Sequence, residues 1–224
     1  MKPIAIAIDG PAGAGKSTVA RALAKRLGYV YIDTGAMYRA VTYYLQQKNV
    51  PIGDEDKVGQ SIQNLQIRIN GENVIVNGVD VTAWLRTEKV SAVVSTVAAY
   101  PVVRELLVKE QRTMAQAGGV VMDGRDIGTI VLPHADLKVF LTASVQVRAQ
   151  RRWLQNRHMG IESQMTQVEL ERAIRQRDQK DSERAVSPLR QASDARLLDN
   201  SDLTTEETVV KIANWAKQVM HYVS

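Results

Sequence analysis

Cysteine is absent from the 224 residues, which removes disulfides and thiolate metal centres from consideration. A chain without cysteine suits a reducing compartment, and a cytoplasmic location is the expectation. Histidine is scarce. His134, His158 and His221 are isolated, with no metal-ligand spacing and no serine paired to any of them. The single phenylalanine, within 5% aromatic residues, leaves little for a platform on which nucleic-acid bases would stack. No apolar run approaches bilayer-spanning length, and residues 1–8 are too short and too β-branched for the core of a signal peptide. Internal repeats and low-complexity tracts are missing as well.

What is present is 45% hydrophobic residues, enough to bury the core of one large domain or of one domain with an insert. The net charge of +5 fits two kinds of partner, nucleic acid or polyphosphate substrates surrounded by arginines. The placement of the arginines favours polyphosphate.

The strongest local signal is Gly10-Pro-Ala-Gly-Ala-Gly-Lys-Ser17, directly after the apolar run Ile4-Ala-Ile-Ala-Ile8. It fits Gly-x-x-x-x-Gly-Lys-Ser/Thr, a loop whose backbone N–H groups converge on phosphate oxygens. Its lysine reaches the β- and γ-phosphates and its serine hydroxyl coordinates Mg²⁺. The plain alternative, a Gly/Ala-rich surface turn, leaves the context unexplained: a β-branched strand before the loop and a helix after it, closed by Gly28. The expectation is a nucleoside triphosphate site with Mg²⁺. It is built from Gly10, Pro11, Ala12, Gly13, Ala14, Gly15, Lys16, Ser17 and Thr18, with Ser17 as the metal ligand.

Along the rest of the chain, Tyr29 to Asp33 reads as a strand, and Thr34 caps a helix to about Lys48. Asp54 to Asp56 opens a short helix to about Leu65. The texture then changes. Short β-branched segments separated by Asn70-Gly-Glu-Asn73 and Asn77-Gly78 predict a small antiparallel meander, and residues 57–96 read as an insert. Helices from about Thr87 and from Pro101, strands at Val120–Met122, Leu137–Leu141 and Ala195–Asp199, and helices opened by Ser144, Thr166 and Thr204 complete the pattern. Strands alternating with helices predict an α/β fold with a parallel central sheet.

Phosphoryl transfer needs positioning and dispersed positive charge more than a covalent intermediate. Arg39, in Asp33-Thr-Gly-Ala-Met-Tyr-Arg39, stands just after a strand end. Arg125 lies in Asp123-Gly-Arg-Asp126 after an apolar strand, where buried charges must be paired or functional. Arg104 alone reads as an ordinary helix residue. Arg172, Arg175, Arg177, Asp178, Asp181 and Arg184 read as a solvated helix face, as do Arg148, Arg151 and Arg152.

Three phrases, Ile8-Asp-Gly-Pro-Ala-Gly-Ala-Gly-Lys-Ser-Thr18, Asp33-Thr-Gly-Ala-Met-Tyr-Arg39 and Asp123-Gly-Arg-Asp-Ile-Gly-Thr129, closely resemble the bacterial cytidylate kinase family. So does Arg177-Asp-Gln-Lys-Asp-Ser-Glu-Arg-Ala-Val-Ser-Pro188, and the resemblance runs from the first strand to the last helix. It implies one nucleoside monophosphate kinase domain over residues 1–224, of P-loop NTPase type. A monophosphate-binding insert would lie at about 57–96 and an arginine-rich lid at about 148–165. The implied reaction transfers a phosphoryl group from ATP to CMP or dCMP. By the same resemblance, Lys16 and Ser17 hold ATP phosphates and Mg²⁺, and Arg39 and Arg125 clamp the CMP phosphate. Ser95, Arg104, Asp126 and Arg184 read cytosine, and Arg177 and Asp181 lie near ribose and phosphates. Thr34 stands where some relatives have serine, which keeps the hydroxyl. Expected partners are the small molecules CMP and dCMP, without nucleic acid or membrane, and the chain is expected to act as a monomer. The alternatives are a kinase for UMP or AMP, a GTP-driven switch (no Asn-Lys-x-Asp motif occurs) and a basic RNA-binding module.

Overall fold

The alternation of apolar strands and amphipathic helices gives an α/β architecture in the computed structural model, which describes residues 3–158 and 165–222. In chain order the elements are β1 (Ala5–Asp9), α1 (Lys16–Leu27), β2 (Val30–Asp33), α2 (Thr34–Gln47), α3 (Glu55–Ile62), β3 (Ile67–Asn70), β4 (Asn73–Val76) and β5 (Val79–Asp80). They continue with α4 (Glu88–Val97), α5 (Pro101–Ala115), β6 (Val120–Gly124), β7 (Leu137–Thr142), α6 (Val145–His158), α7 (Gln167–Glu183), β8 (Arg196–Asp199) and α8 (Thr205–Tyr222). A 3₁₀ turn covers Thr82–Trp84 and a π-helical turn covers Ile127–Val131.

Two compact units divide the chain. One holds the residues up to Tyr31 and from Gly118 onward, and the other is Ile32–Ala117. The first contains a parallel sheet of order β2-β6-β1-β7-β8, so β1 is central. β1 and β6 are buried almost throughout, as parallel strands covered on both faces must be. Ile6, Ile8, Val139 and Leu141 of the sheet share one apolar cluster with Val19 and Leu23 of α1 and Ile212 and Ala216 of α8. Helix α1 ends at Gly28, whose φ of 69° lets the chain reverse while Tyr29 N–H donates to Ala24 O. No single helix among the described residues is long and apolar enough to cross a membrane.

The second unit packs α2, α3, α4 and α5 against the antiparallel meander β3-β4-β5. Its register is set by Asn77 and Gly78, both at positive φ, the geometry of a two-residue hairpin turn. Met37, Val41 and Leu45 of α2 share their cluster with Val58, Ile62, Ile67, Val74, Val76 and Val94. Segment 57–96 is therefore part of this unit's core and not a removable attachment. Excising it would withdraw side chains worth about 1.5–3 kcal/mol each, so the deletion tests folding and not recognition. The helix cap also differs from the sequence reading. Asp33, not Thr34, caps α2, its carboxylate accepting from Ala36 N–H at 2.9 Å. The lid expected at about 148–165 begins within α6, and its residues 159–164 lie outside the described residues.

Candidate active site

The phosphate loop leaves β1 at Asp9 and enters α1 at Lys16. Gly10 admits no side chain. Its φ is 148°, and a Cβ there would sit 1.9 Å from Leu141 O on the neighbouring strand β7. Two struts hold the loop from outside. Arg148, buried on α6, donates to Ala12 O at 2.9 Å and pairs with Asp178 of α7, which accepts from Ala12 N–H at 3.2 Å. Asn200, after β8, donates to Ala14 O at 3.1 Å while its own side-chain oxygen accepts from Arg151. The solvated-face reading of Arg148 therefore fails. Its guanidinium is spent on Ala12 O, Ala143 O and Asp178, a role no local pattern announces.

Lys16 is buried, and its ammonium donates to Pro11 O at 2.7 Å. Burial pushes it well below the usual lysine value, and Arg125 adds to the shift, while Asp123 and Asp9 act the other way. Arg177 on α7 is pushed down to about 10, again by burial first and then by Arg125, with Asp181 opposing. Its buried Nε has no hydrogen-bond partner among the described residues. Cations crowded together in a dry place are stabilised by an incoming anion.

Ser17, the next residue of the loop, donates to Asp123 Oδ2 at 3.0 Å, and Tyr31 OH holds the other oxygen at 2.8 Å. Asp123 was visible as part of Asp123-Gly-Arg-Asp126, but its partnership with Ser17 comes from the parallel pairing of β6 with β1. The two side chains offer hard oxygen donors side by side, which suits Mg²⁺, an ion that takes few protein ligands and completes its shell with phosphate and water. No group of three or more His, Cys, Asp or Glu placed to hold a metal occurs among the described residues.

Two residues on, Arg125 Nε donates to Asp181 Oδ2 at 2.9 Å. Asp126 is buried, and Arg184 Nη2 lies 3.5 Å from its Oδ1. Arg184 also donates from Nε to Ser187 O. Helix α7 therefore has two faces. Arg172 and Arg175 are exposed, as the sequence reading has it, whereas Leu170, Ile174, Arg177, Asp178 and Asp181 lie on the side turned inward at helical spacing. That spacing is the signal that was legible and not used. Of the predicted set, Lys16, Ser17, Arg125, Asp126, Arg177, Asp181 and Arg184 all belong to the first unit.

Thr34, Arg39, Ser95 and Arg104 belong to the second unit. Thr34 is the buried first residue of α2. Arg39 Nη1 and Asp33 Oδ1 both lie against Gly35, at 2.9 and 3.2 Å from the place a Cβ would take, and Arg86 pairs with Asp33 at 3.3 Å. Arg104 is buried, donates to Ala98 O at 3.2 Å, and stands 5.4 Å over the Tyr38 ring. Ser95 is half-buried on α4. His134 and His221 are exposed.

The sequence profile of the family described as cytidylate kinase matches residues 6–218. Cytidylate kinases of Lactiplantibacillus plantarum and Bacillus thuringiensis are each 52% identical to this chain, over 212 and 215 residues. These alignments cover 93% and 94% of it and 92% and 95% of theirs. This chain belongs to the cytidylate kinase family. Among solved structures, a shikimate kinase from Bacteroides thetaiotaomicron is similar with a TM-score of 0.51 at 17% identity, covering 96% of this chain and 98% of its own. A gluconokinase from Sinorhizobium meliloti follows at 0.50 and 16%, covering 100% and 98%. Likeness at that identity speaks for the fold alone, and it agrees with the P-loop reading of β1 and α1.

One residue of this cytidylate kinase family member stands in the phrase Ile8 to Thr18 but has no role in the sequence reading. Asp9, the last residue of β1, is buried, and its carboxylate accepts from Ile127 N–H at 2.8 Å and Gly128 N–H at 2.7 Å. Burial raises its pKa to about 6 and the Asp126 charge adds to the rise, against the two N–H donors and Lys16. A carboxyl whose folded value lies above its unfolded one adds stability that is complete at low pH and lost as pH rises through about 6. Wild type should therefore gain about 2 kcal/mol over Asp9→Asn between about pH 7 and 4.5. Denaturant titrations of both proteins at those two pH values measure it. A difference that does not change with pH would contradict the titration assigned to Asp9.

Proposed function

We propose that this chain transfers the γ-phosphoryl group of ATP to CMP or dCMP, giving ADP and CDP or dCDP. Family membership supports the reaction. The observation that carries the site is the crowding of Lys16 and Arg177 around Arg125, whose charge adds to the depression that burial imposes on both and which calls for a polyphosphate anion. Gly10 to Thr18 would take the triphosphate, with the Lys16 ammonium leaving Pro11 O for phosphate oxygens. Ser17 and Asp123 would hold Mg²⁺, which when bound neutralises charge on the β- and γ-oxygens. Arg39 and Arg125 would clamp the acceptor phosphate and align it for in-line attack. No protein base or nucleophile is required, because the acceptor phosphate is already anionic at neutral pH.

Cytosine presents an N4 amino donor beside the N3 and O2 acceptors, which suits a carboxylate next to guanidinium groups. Asp126 would accept from N4, and Arg184 and Arg104 would donate, with Ser95 and Thr34 as further substrate contacts. Arg177 and Asp181 would lie near the ribose and phosphates. The proposal includes a monomeric enzyme in the cytoplasm whose partners are these small molecules. ADP release followed over the common nucleoside monophosphates tests the reading. Turnover should be fastest with CMP and dCMP, and UMP or AMP as the preferred acceptor would overturn it.

Arg125→Ala and Arg39→Ala should each raise the KM for CMP and lower kcat together, by about a hundredfold in kcat/KM. Steady-state kinetics with each substrate varied in turn provide the check. A change confined to the KM for ATP would move that arginine to the donor side.

A further inference from the structure

An aspartate directly before a helical turn ordinarily caps it, its carboxylate accepting from the first free N–H groups. Asp126 stands in that position before the π-helical turn Ile127–Val131, yet it makes no side-chain cap. Its backbone carbonyl closes the turn by accepting from Ile130 and Val131 N–H. The free amides of Ile127 and Gly128 are taken instead by Asp9, a residue 118 and 119 positions earlier.

The supply of these two bonds from outside leaves the Asp126 carboxylate facing Arg184. Lys138 packs against the same turn beside Asp9. A Cβ on Gly128 would sit 3.1 Å from Lys138 Cδ and 3.4 Å from Asp9 Oδ2, so both side chains press against it. Lys138 is in turn fixed by Pro133 O at 2.6 Å and by Asp194 at 2.8 Å.

We infer that Asp9 is a positioning residue for base choice, because it caps the Ile127–Val131 turn in place of Asp126 and so keeps the Asp126 carboxylate available to the nucleobase. The inference rests on the reading of Asp126 as the group that accepts from cytosine N4. Without Asp9, the Asp126 carboxylate turns back to cap its own turn and withdraws from the base. In Asp9→Asn, one side-chain oxygen remains for one amide, while the new NH₂ group faces the other amide donor to donor.

The test compares kcat/KM for CMP and UMP at saturating ATP and pH near 8, in wild type, Asp9→Asn, Asp126→Ala and the double variant. Asp9→Asn should lower the CMP/UMP ratio by about ten- to a hundredfold, chiefly through lost CMP turnover, with the KM for ATP nearly constant. In the background of Asp126→Ala it should leave the ratio unchanged, since the carboxylate it serves is gone. Loss of folded enzyme scales both substrates equally, so the ratio separates positioning from damage. Gly128→Ala, which spreads the same contact while keeping Asp9, should move the ratio in the same direction, and it carries the test if Asp9→Asn does not fold. If Asp126→Ala collapses the ratio but neither Asp9→Asn nor Gly128→Ala alters it, the inference is wrong while the base-reading assignment stands. If Asp126→Ala itself leaves the ratio intact, that assignment falls and takes the inference with it.

Discussion

Lys16→Ala should lower kcat by about a thousandfold or more while leaving the fold intact. The ammonium is buried and donates to Pro11 O, and its charge is disfavoured there by burial and by Arg125. Removing it takes away a cation that the folded state tolerates at a cost, so thermal stability should hold or rise. Turnover depends on that cation meeting the charge that develops on the transferring phosphoryl group. Coupled ADP-release assays and thermal melts of the same preparation separate the two effects. Near-normal activity in a folded Lys16→Ala protein would remove the glycine loop from the mechanism. EDTA should likewise stop the reaction and Mg²⁺ restore it.

Wild type should prefer CMP over UMP in kcat/KM by roughly two to four orders of magnitude, and Asp126→Ala should remove most of that preference. Asp126 is buried one residue beyond Arg125, so one short loop would serve both the phosphate and the base. A matched polar contact in such a place discriminates by about 1–3 kcal/mol, and uracil O4 would set acceptor against acceptor. The loss should fall on CMP turnover, with the KM for ATP nearly constant. Combining Asp126→Ala with Arg184→Ala should be less than additive, because the two side chains stand 3.5 Å apart and act on one base. An unchanged CMP/UMP ratio in Asp126→Ala would show that the base is read elsewhere.

Much of this molecule was legible from residues within a few positions of one another. The phosphate loop, the closing glycine of α1, the Asn77-Gly78 hairpin turn, Pro101 at the start of α5 and the Thr166 capping box all appear where local chemistry puts them. Each depends on backbone preference or on a hydrogen bond across one turn, and neither needs a distant partner. Alternation of strand and helix was enough for the parallel sheet, because consecutive parallel strands require a crossover. The motif phrases likewise carried the family.

The tertiary structure alone decided which charges are structural and which are left for substrate. Arg148 looked solvated because a charged helix face is usually wet. It is buried because Ala12 O, 136 residues away, and Asp178 both need it. Segment 57–96 looked detachable because its texture changes, yet its apolar side chains complete the cluster that Met37, Val41 and Leu45 begin. Asp9 stood in the sequence just beyond the apolar run Ile4 to Ile8, with no role of its own. A buried carboxylate persists only where donors converge on it, and those of Ile127 and Gly128 arrive from the far side of the sequence. Desolvation and long-range pairing are properties of the packed chain, and no window of neighbouring residues contains them.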